Sequence, residues 1–515
     1  MKRLIPLFCA LLLLSACSFP LPERESSPTE APQDTEYPLQ EPGLTNTELA
    51  RIPDDGHFTL RYVPEDSLNP FSCASEVNRL LSSLFYERLV DITPDFQAKP
   101  ALCTAWSSQD GGMTFTLELR QDVCFSDGTP MSAWDAAYSL NRAREETSGY
   151  AGRLRCIRDV SVTGSGLTVS LTSPLPSFPL RLDIPVVKEG TAYRDLPLGS
   201  GPYVLSEEDG QALLPNPFRD KSSLPYERIE LRSFAAEEVL AALTAGSLDL
   251  LVGDPGALNP SVVEGAVRRS LPTSILYYIA LNPRCEALAA PERRRLVNAC
   301  LDRGSLSSIL GGEAALIPVN PALPEYDVTE ARAWIPRDIA SYCIDILTED
   351  YDGDGTLEYF REGTPVPLSF QLLVCSENEA AMAAARSMAD DLRAQGISME
   401  LRLLSESEFL RAVRNGEYEA YIASMRLTAD HDLSSLYQGI GDDLLRLFAE
   451  EYRSSEGEGR FQAASSLGAY SAECSLVLPL CFLKRAIWFP QGAIENMEPS
   501  WTDPFRNLAE WNVGG

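Results

Sequence analysis

Residues 113–144 read MTFTLELRQDVCFSDGTPMSAWDAAYSLNRAR, a strand, a tight turn and a capped helix in succession. Met113, Phe115, Leu117 and Leu119 alternate with polar residues, the period of a half-buried strand. Gln109-Asp110-Gly111-Gly112 before it reads as a hairpin turn, since glycine supplies the positive φ that such turns need. Ser126-Asp127-Gly128-Thr129-Pro130 is a second turn. Ser132 stands three residues before Asp135, so the two side chains can satisfy each other's unpaired N–H groups as a capping box. The helix is predicted to run through Tyr138 and Leu140 to Arg144.

Two further blocks alternate strand with helix. Phe58–Tyr62 reads as a strand at the start of folded sequence, near His57. Ile229–Phe234, Glu237–Ala245 ended by Gly246, and Leu248–Val252 read as a compact βαβ unit. Residues 368–425 repeat that logic: strand Leu368–Cys375, helix Glu377–Ala394, strand Ile397–Leu403, helix Glu406–Arg414 and strand Tyr418–Met425, with Gly396 and Gly416 closing the helices. Strands joined through helices by short loops imply parallel pairing with right-handed crossovers. Two such blocks imply two α/β lobes, and the crevice between them, at the carboxyl ends of the strands, is the expected binding site.

Composition narrows the function. The chain has 74 acidic and 43 basic residues, a net charge of −31 that repels nucleic acid and anionic membrane. Lys2 and Arg3 precede an apolar run, Leu4–Leu14, of signal-peptide length and too short to span a bilayer. Leu14-Ser15-Ala16-Cys17 resembles the bacterial lipobox, which makes Cys17 the lipid anchor and residues 1–17 the signal; an ordinary signal peptide cut near Ala16 is the alternative. Residues 18–50, rich in Pro, Ser, Thr and Glu, read as a disordered tether. Ten cysteines remain after Cys9 and Cys17, with no CxxC among them, and they are expected to be mostly free thiols. The two histidines, His57 and His431, give no zinc spacing, and HExxH, GxSxG and the phosphate-binding loop are missing. Asp350, Asp352, Asp354 and Glu358 have calcium-loop spacing around Gly355, but Arg361 stands where the bidentate Glu is required, so an Asp/Gly turn is preferred.

The segment Phe115–Arg142 closely resembles the signature of family 5 extracellular solute-binding proteins, the peptide- and nickel-binding components of ABC importers. Phe125–Pro130 matches "FSDGTP", and Ala133–Arg142 matches the helix "xAxDVxYSxxR". Leu68-Asn69-Pro70, Leu84–Val90, Gly199–Tyr203, Tyr277–Asn282 with Leu301-Asp302-Arg303, Asp350–Gly355 and Tyr418–Tyr421 follow in the family's order. The resemblance spans roughly 57–515. It departs at Met425, where the family often has Trp, and at Arg293-Arg294-Arg295, where one basic residue is usual.

The resemblance implies a two-lobed α/β fold of the periplasmic-binding-protein type (class II, with an extra subdomain). Lobe I would comprise 51–75, 185–276 and 488–515, the inserted subdomain II 76–184, and lobe III 277–487. It further implies a monomeric, lipid-anchored receptor on the outer face of the cell membrane. The receptor would close on a solute by hinge motion and pass it to the permease subunits of an ABC transporter. No reaction and no cofactor are expected. Oligopeptides are the favoured solute; a nickel chelate, a sugar or a signal peptide would suit the same fold. A secreted carboxylate-based hydrolase and an adhesin with a filled pocket are the other classes.

For peptides, the resemblance places the ammonium-binding carboxylate at Asp430 or Asp432, the alternative being a solvated loop acid or helix cap. Arg426 either meets a ligand carboxylate or, preferably, pairs with one of those aspartates. Met425 takes the place of the pocket Trp. Tyr277 and Tyr278 fall at the crossing between lobes, one of them in the core, and Tyr150 resembles a pocket tyrosine or is a surface-loop residue. Backbone groups near Asn69 and Ile92 would hold an extended ligand as an added strand.

Overall fold

The Ser132–Asp135 motif folds as its sequence dictates. In the computed structural model, which describes residues 58–253, 263 and 265–513, Asp135 Oδ2 accepts from Ser132 N (2.8 Å) and Ser132 Oγ (2.7 Å). The helix spans Ala133–Ala143. Strand Thr114–Leu119 buries Phe115, Leu117 and Leu119. It lies in a four-stranded antiparallel sheet, in the order Cys103–Ser107, Thr114–Leu119, Gly166–Leu171, Ile157–Thr163. The hairpin turn is where expected, and Gly112 is obligatory there. Its φ is +89°, and a Cβ would lie 2.7 Å from Pro176 N. The signal segment, Cys17, the tether and residues 51–57 lie outside the described residues.

A second four-stranded sheet pairs Phe58–Arg61 in parallel with Ile229–Arg232, followed by Ala212–Pro215 and Tyr203–Leu205. The βαβ unit expected at 229–252 is only partly realised. Helix Val239–Thr244 forms, and Leu250 makes a parallel bridge to Leu60. The next two residues, Leu251 and Val252, instead pair antiparallel with Trp488 and Ile487. Apolar burial explains the switch: Leu251, Val239, Leu243 and Leu248 pack around Trp488 in a cluster of their own.

The third sheet has seven strands. Ser369–Cys375 pairs in parallel with Ser398–Leu404 and Ala420–Arg426, joined by helices Glu379–Ala394 and Glu406–Asn415, as the alternation predicts. Two long antiparallel strands, Ala266–Leu281 and Val477–Pro490, tie this sheet to the strand Leu251–Val252. Ile275–Leu281 pairs with Ala420–Arg426, while Ala266–Pro272 pairs only with Lys484–Pro490. Their register breaks between Pro272 and Leu276. Pro272 has no N–H for the ladder, and Thr273 Oγ1 substitutes by donating to Leu483 O (2.8 Å) and accepting from Ile275 N (3.1 Å). The result is a two-lobed α/β architecture with both crossing strands interrupted at one level. Among the described residues, no helix is long and apolar enough to cross a membrane.

Candidate functional site

A cavity of about 1060 Å³ lies at the level of that register break. One wall is the short helix Glu76–Leu80, the segment around Tyr150 and the 3-10 turn Phe178–Arg181. The facing wall is the end of strand Ala420–Arg426 and the loop leading to Ser434. Ser274 and Arg485, from the crossing strands, and Trp501 complete it. The helix bearing Glu76 is pinned at both levels. Ser75 caps it by accepting from Asn78 N, and the Asn78 side chain exchanges hydrogen bonds with Val63 N (2.9 Å) and Val63 O (2.9 Å).

Arginine dominates the lining. Among the described residues, eight arginines and four carboxylates face the cavity, and no lysine does. Arg181 is clamped between two aspartates, with Nη2 2.7 Å from Asp430 Oδ2 and 2.8 Å from Asp432 Oδ2; Ser177 Oγ also donates to Asp430 Oδ2 (3.1 Å). Burial works against the Arg181 charge, but Asp430, with smaller help from Cys156 and Asp432, holds its pKa above the ordinary value. Asp432 is itself held below the usual carboxylate range: burial opposes this, and the Ser434 hydrogen bonds and Arg181 overcome it. Glu76 Oε1 receives two cations, Arg485 at 2.7 Å and Arg426 at 3.0 Å. Against the effect of burial, they hold the Glu76 pKa low. Both guanidiniums also approach the Trp501 ring, at 5.6 Å and 4.8 Å from its centroid. Arg88 pairs with Asp503 (3.0 Å) and Arg153 with Asp183 (2.8 Å). Arg181 with Asp430 and Asp432, and Arg426 with Glu76, join segments far apart in sequence, so these pairs stitch the facing walls together as well as colouring the cavity.

Of the residues singled out by sequence, Asp432, Arg426, Tyr150 and Ile92 line the cavity. Asp430 stands behind the wall, 2% exposed, engaged by Arg181. The expected pairing of Arg426 with Asp430 or Asp432 is not formed; Arg181 takes both aspartates and Arg426 turns to Glu76. Tyr277 and Tyr278 are both core residues. The Tyr277 hydroxyl accepts from Asn378 Nδ2 (2.8 Å), and Tyr278 packs edge-on to Tyr421 at 6.0 Å. Asn69 is consumed structurally, donating to Ala192 O (2.8 Å) and Arg194 O (2.7 Å), while its neighbours Pro70 and Phe71 reach the cavity. Met425 is half-buried beside Ser435 and off the wall. Trp501, from a segment remote in sequence, supplies an indole at the cavity.

Arg181, Glu76 and Arg485 were not legible as a set. Arg485 left the clearest trace, as a charge within the apolar run Val477–Pro490, where it is wholly buried. At the calcium-like loop, oxygens of Asp350, Asp352 and Glu358 lie within 4.8 Å of one another. The Asp350 carboxylate is already occupied by the N–H groups of Gly353 (2.7 Å) and Gly355 (2.9 Å), the turn that its spacing suggested. All ten cysteines of the described residues are unpaired.

A sequence model of the family described as "Bacterial extracellular solute-binding proteins, family 5 Middle" matches residues 97–442. Among curated proteins, Protein XP55 of Streptomyces lividans is 28% identical over 284 residues, covering 50% of this chain and 51% of that protein. The chain thus aligns with about half the length of that relative. Among solved structures, the oligopeptide-binding protein AppA from Bacillus subtilis, in complex with a nonapeptide, superposes with a TM-score of 0.60 at 17% identity, covering 89% of this chain and 99% of AppA. NikA from Brucella suis, in complex with Fe(III)-EDTA, superposes at 0.70 with 16% identity over 88% of this chain and 99% of NikA.

Proposed function

The chain belongs to the bacterial extracellular solute-binding proteins of family 5, and on that premise we propose that it captures short peptides outside the cell and delivers them to an ABC transporter permease. The observation that carries the reading is the cavity of about 1060 Å³, walled from both lobes at the level where the two crossing strands lose register. That volume is at the upper end of small-ligand pockets and suits a guest of several residues. Closure by rotation about the crossing strands would engage both walls at once, so a guest that touches both favours the closed state. Among the described residues, every carboxylate on the wall is in an ion pair, which argues against a hydrolase working through a free acid and a free base. A lipid on Cys17 would hold the receptor at the outer face of the membrane as a monomer tethered by residues 18–50.

Mass spectrometry of solutes released from protein purified under native conditions tests the peptide assignment. Short peptides at near-stoichiometric amounts are expected; a single non-peptide metabolite would refute it. Replacing Cys17 by Ala should release the protein from the membrane fraction, and its retention there would refute the anchor.

A further inference from the structure

We infer that the protein's own side chains latch the two walls of the cavity together, with residues 173–181 as the edge of the latch and Phe96 as its knob, and that solute enters and leaves when this latch parts. The device rests on the proposed receptor role and deepens it, by naming the contacts that set the balance between closed and open forms.

Three side chains at four-residue intervals form the edge. Ser173 Oγ accepts from Arg453 Nη2 (3.1 Å), Ser177 Oγ donates to Asp430 Oδ2 (3.1 Å), and Arg181 Nη2 donates to Asp430 Oδ2 (2.7 Å) and Asp432 Oδ2 (2.8 Å). The partners belong to the facing wall: Asp430 and Asp432 follow strand Ala420–Arg426, and Arg453 is on helix Asp443–Ser454, which also sends Arg446 and Glu450 to the cavity. These are contacts between charged groups and hydroxyls, which water replaces at small net cost when the walls separate. Asp430 Oδ1, buried with no hydrogen-bond partner among the described residues, would gain one from water on separation. An edge built this way is a reversible joint, not a permanent core.

Phe96 supplies the apolar part. It stands in the turn between strands Val90–Ile92 and Ala98–Pro100, a hairpin fixed to the first wall by Val90 N donating to Leu182 O (3.1 Å). Although it is in a hairpin turn, Phe96 is only 2% exposed, and it meets His431 of the facing wall edge-on, with ring centroids 4.5 Å apart. His431 is tied in turn through Asn320 to Thr273 O, where the crossing strands lose register, so the knob is seated at the level about which the walls would rotate. Both residues hold left-handed backbone, with φ 58° at Phe96 and 54° at His431. For a residue with a Cβ, and a bulky one above all, that conformation is strained. Two strained turns meet at one contact, and separation of the rings frees both to relax. The ring contact favours the closed form and the strain favours the open one, which brings the two forms closer in energy, as a two-state joint requires.

Alkylation of native thiols by iodoacetamide, in the full chain freed of endogenous solute, reads the latch directly. Cys73 lines the cavity and is 7% exposed, so its modification reports parting of the walls, whereas Cys481, wholly buried in strand Val477–Pro490, reports unfolding. Peptide mass mapping should show Cys73 of Phe96→Ala modified at least about tenfold faster than in the unaltered protein, the scale of one lost apolar side chain, with Cys481 still protected. The double variant S173A/S177A, which removes hydroxyls only, should raise the Cys73 rate about threefold or more. Phe96→Gly loses the ring but carries the left-handed backbone without strain, so it should open less than Phe96→Ala. Unaltered Cys73 rates in the alanine variants, or equal acceleration at Cys73 and Cys481, would overturn the latch. A Phe96→Gly variant as open as Phe96→Ala would overturn the strained joint. None of these outcomes bears on the receptor reading, which is decided separately by the solutes that co-purify.

Discussion

Mild acid should destabilise this protein through one imidazole. His431 lies between the two aspartates that clamp Arg181, is 1% exposed, and meets the edge of Phe96 at 4.5 Å between ring centroids. Its tautomer is fixed by its neighbours. Asn320 Oδ1 accepts from Ala322 N (3.0 Å) and Asn320 Nδ2 donates to Thr273 O (2.8 Å), so the amide presents its N–H to His431 Nε2 at 3.0 Å. Nε2 is then an acceptor, and Nδ1–H donates to Ala429 O (3.1 Å). A second proton on the ring would face a donor. Burial and then the nearby Arg460 cation oppose the charge, with Asp430 and Glu325 favouring it more weakly, and the pKa falls to about 4 from 6.5. The unfolded chain therefore binds more protons than the folded one between pH 6.5 and 4. Stability is full above that window and is lost as pH falls through it. At about 1.4 kcal/mol per unit, the step from pH 7 to pH 5 removes roughly 2 kcal/mol, a sizeable part of a typical folding free energy. Glu76 and Asp432, whose pKa values are lowered, add their losses below the carboxylate range and leave this window to His431.

Urea unfolding at pH 7 and pH 5 measures the step, with His431→Asn as the comparison. Asn tolerates the left-handed backbone of this position, φ 54°. The variant should be less stable at both pH values, having lost ring packing, but its loss between them should shrink to a few tenths of a kcal/mol. Because His57 is the only other histidine, imidazole NMR resolves both titrations. Equal pH sensitivity in the two proteins, or both imidazoles titrating near 6.5, would refute the burial argument.

Arg181→Met should cost about 3–5 kcal/mol by stranding Asp430, and adding Asp430→Asn should recover part of the loss, which a double-mutant cycle in urea would measure. Gly112→Ala should destabilise by more than about 1 kcal/mol, and by more than Gly111→Ala. Both have positive φ, but only at Gly112 would the new carbon strike backbone, at Pro176 N; equal melting temperatures for the two variants would contradict this.

Local rules made much of this architecture readable in advance. The strand at 114–119, the Ser132–Asp135 cap and the parallel strands 369–375, 398–404 and 420–426 depend on side-chain period, on turn glycines and on hydrogen bonds spanning three residues. Such signals are complete within a short window of chain, and the family resemblance rested on the same windows. The ion-pair network was decided elsewhere. Arg181 finds Asp430 across 249 residues, and Glu76 meets Arg426 across 350. Which of many arginines and acids pair depends on the packing that brings their backbones together, and no spacing encodes it. The same packing moved Tyr277 and Asn69 into structural roles and brought Trp501 to the cavity. By itself the sequence determined the family, the lobes' strand–helix alternation and the capped helix, because each is a local or repeated pattern. Only the tertiary structure decided which charges pair across the site, because distant segments must pack together before their side chains can meet.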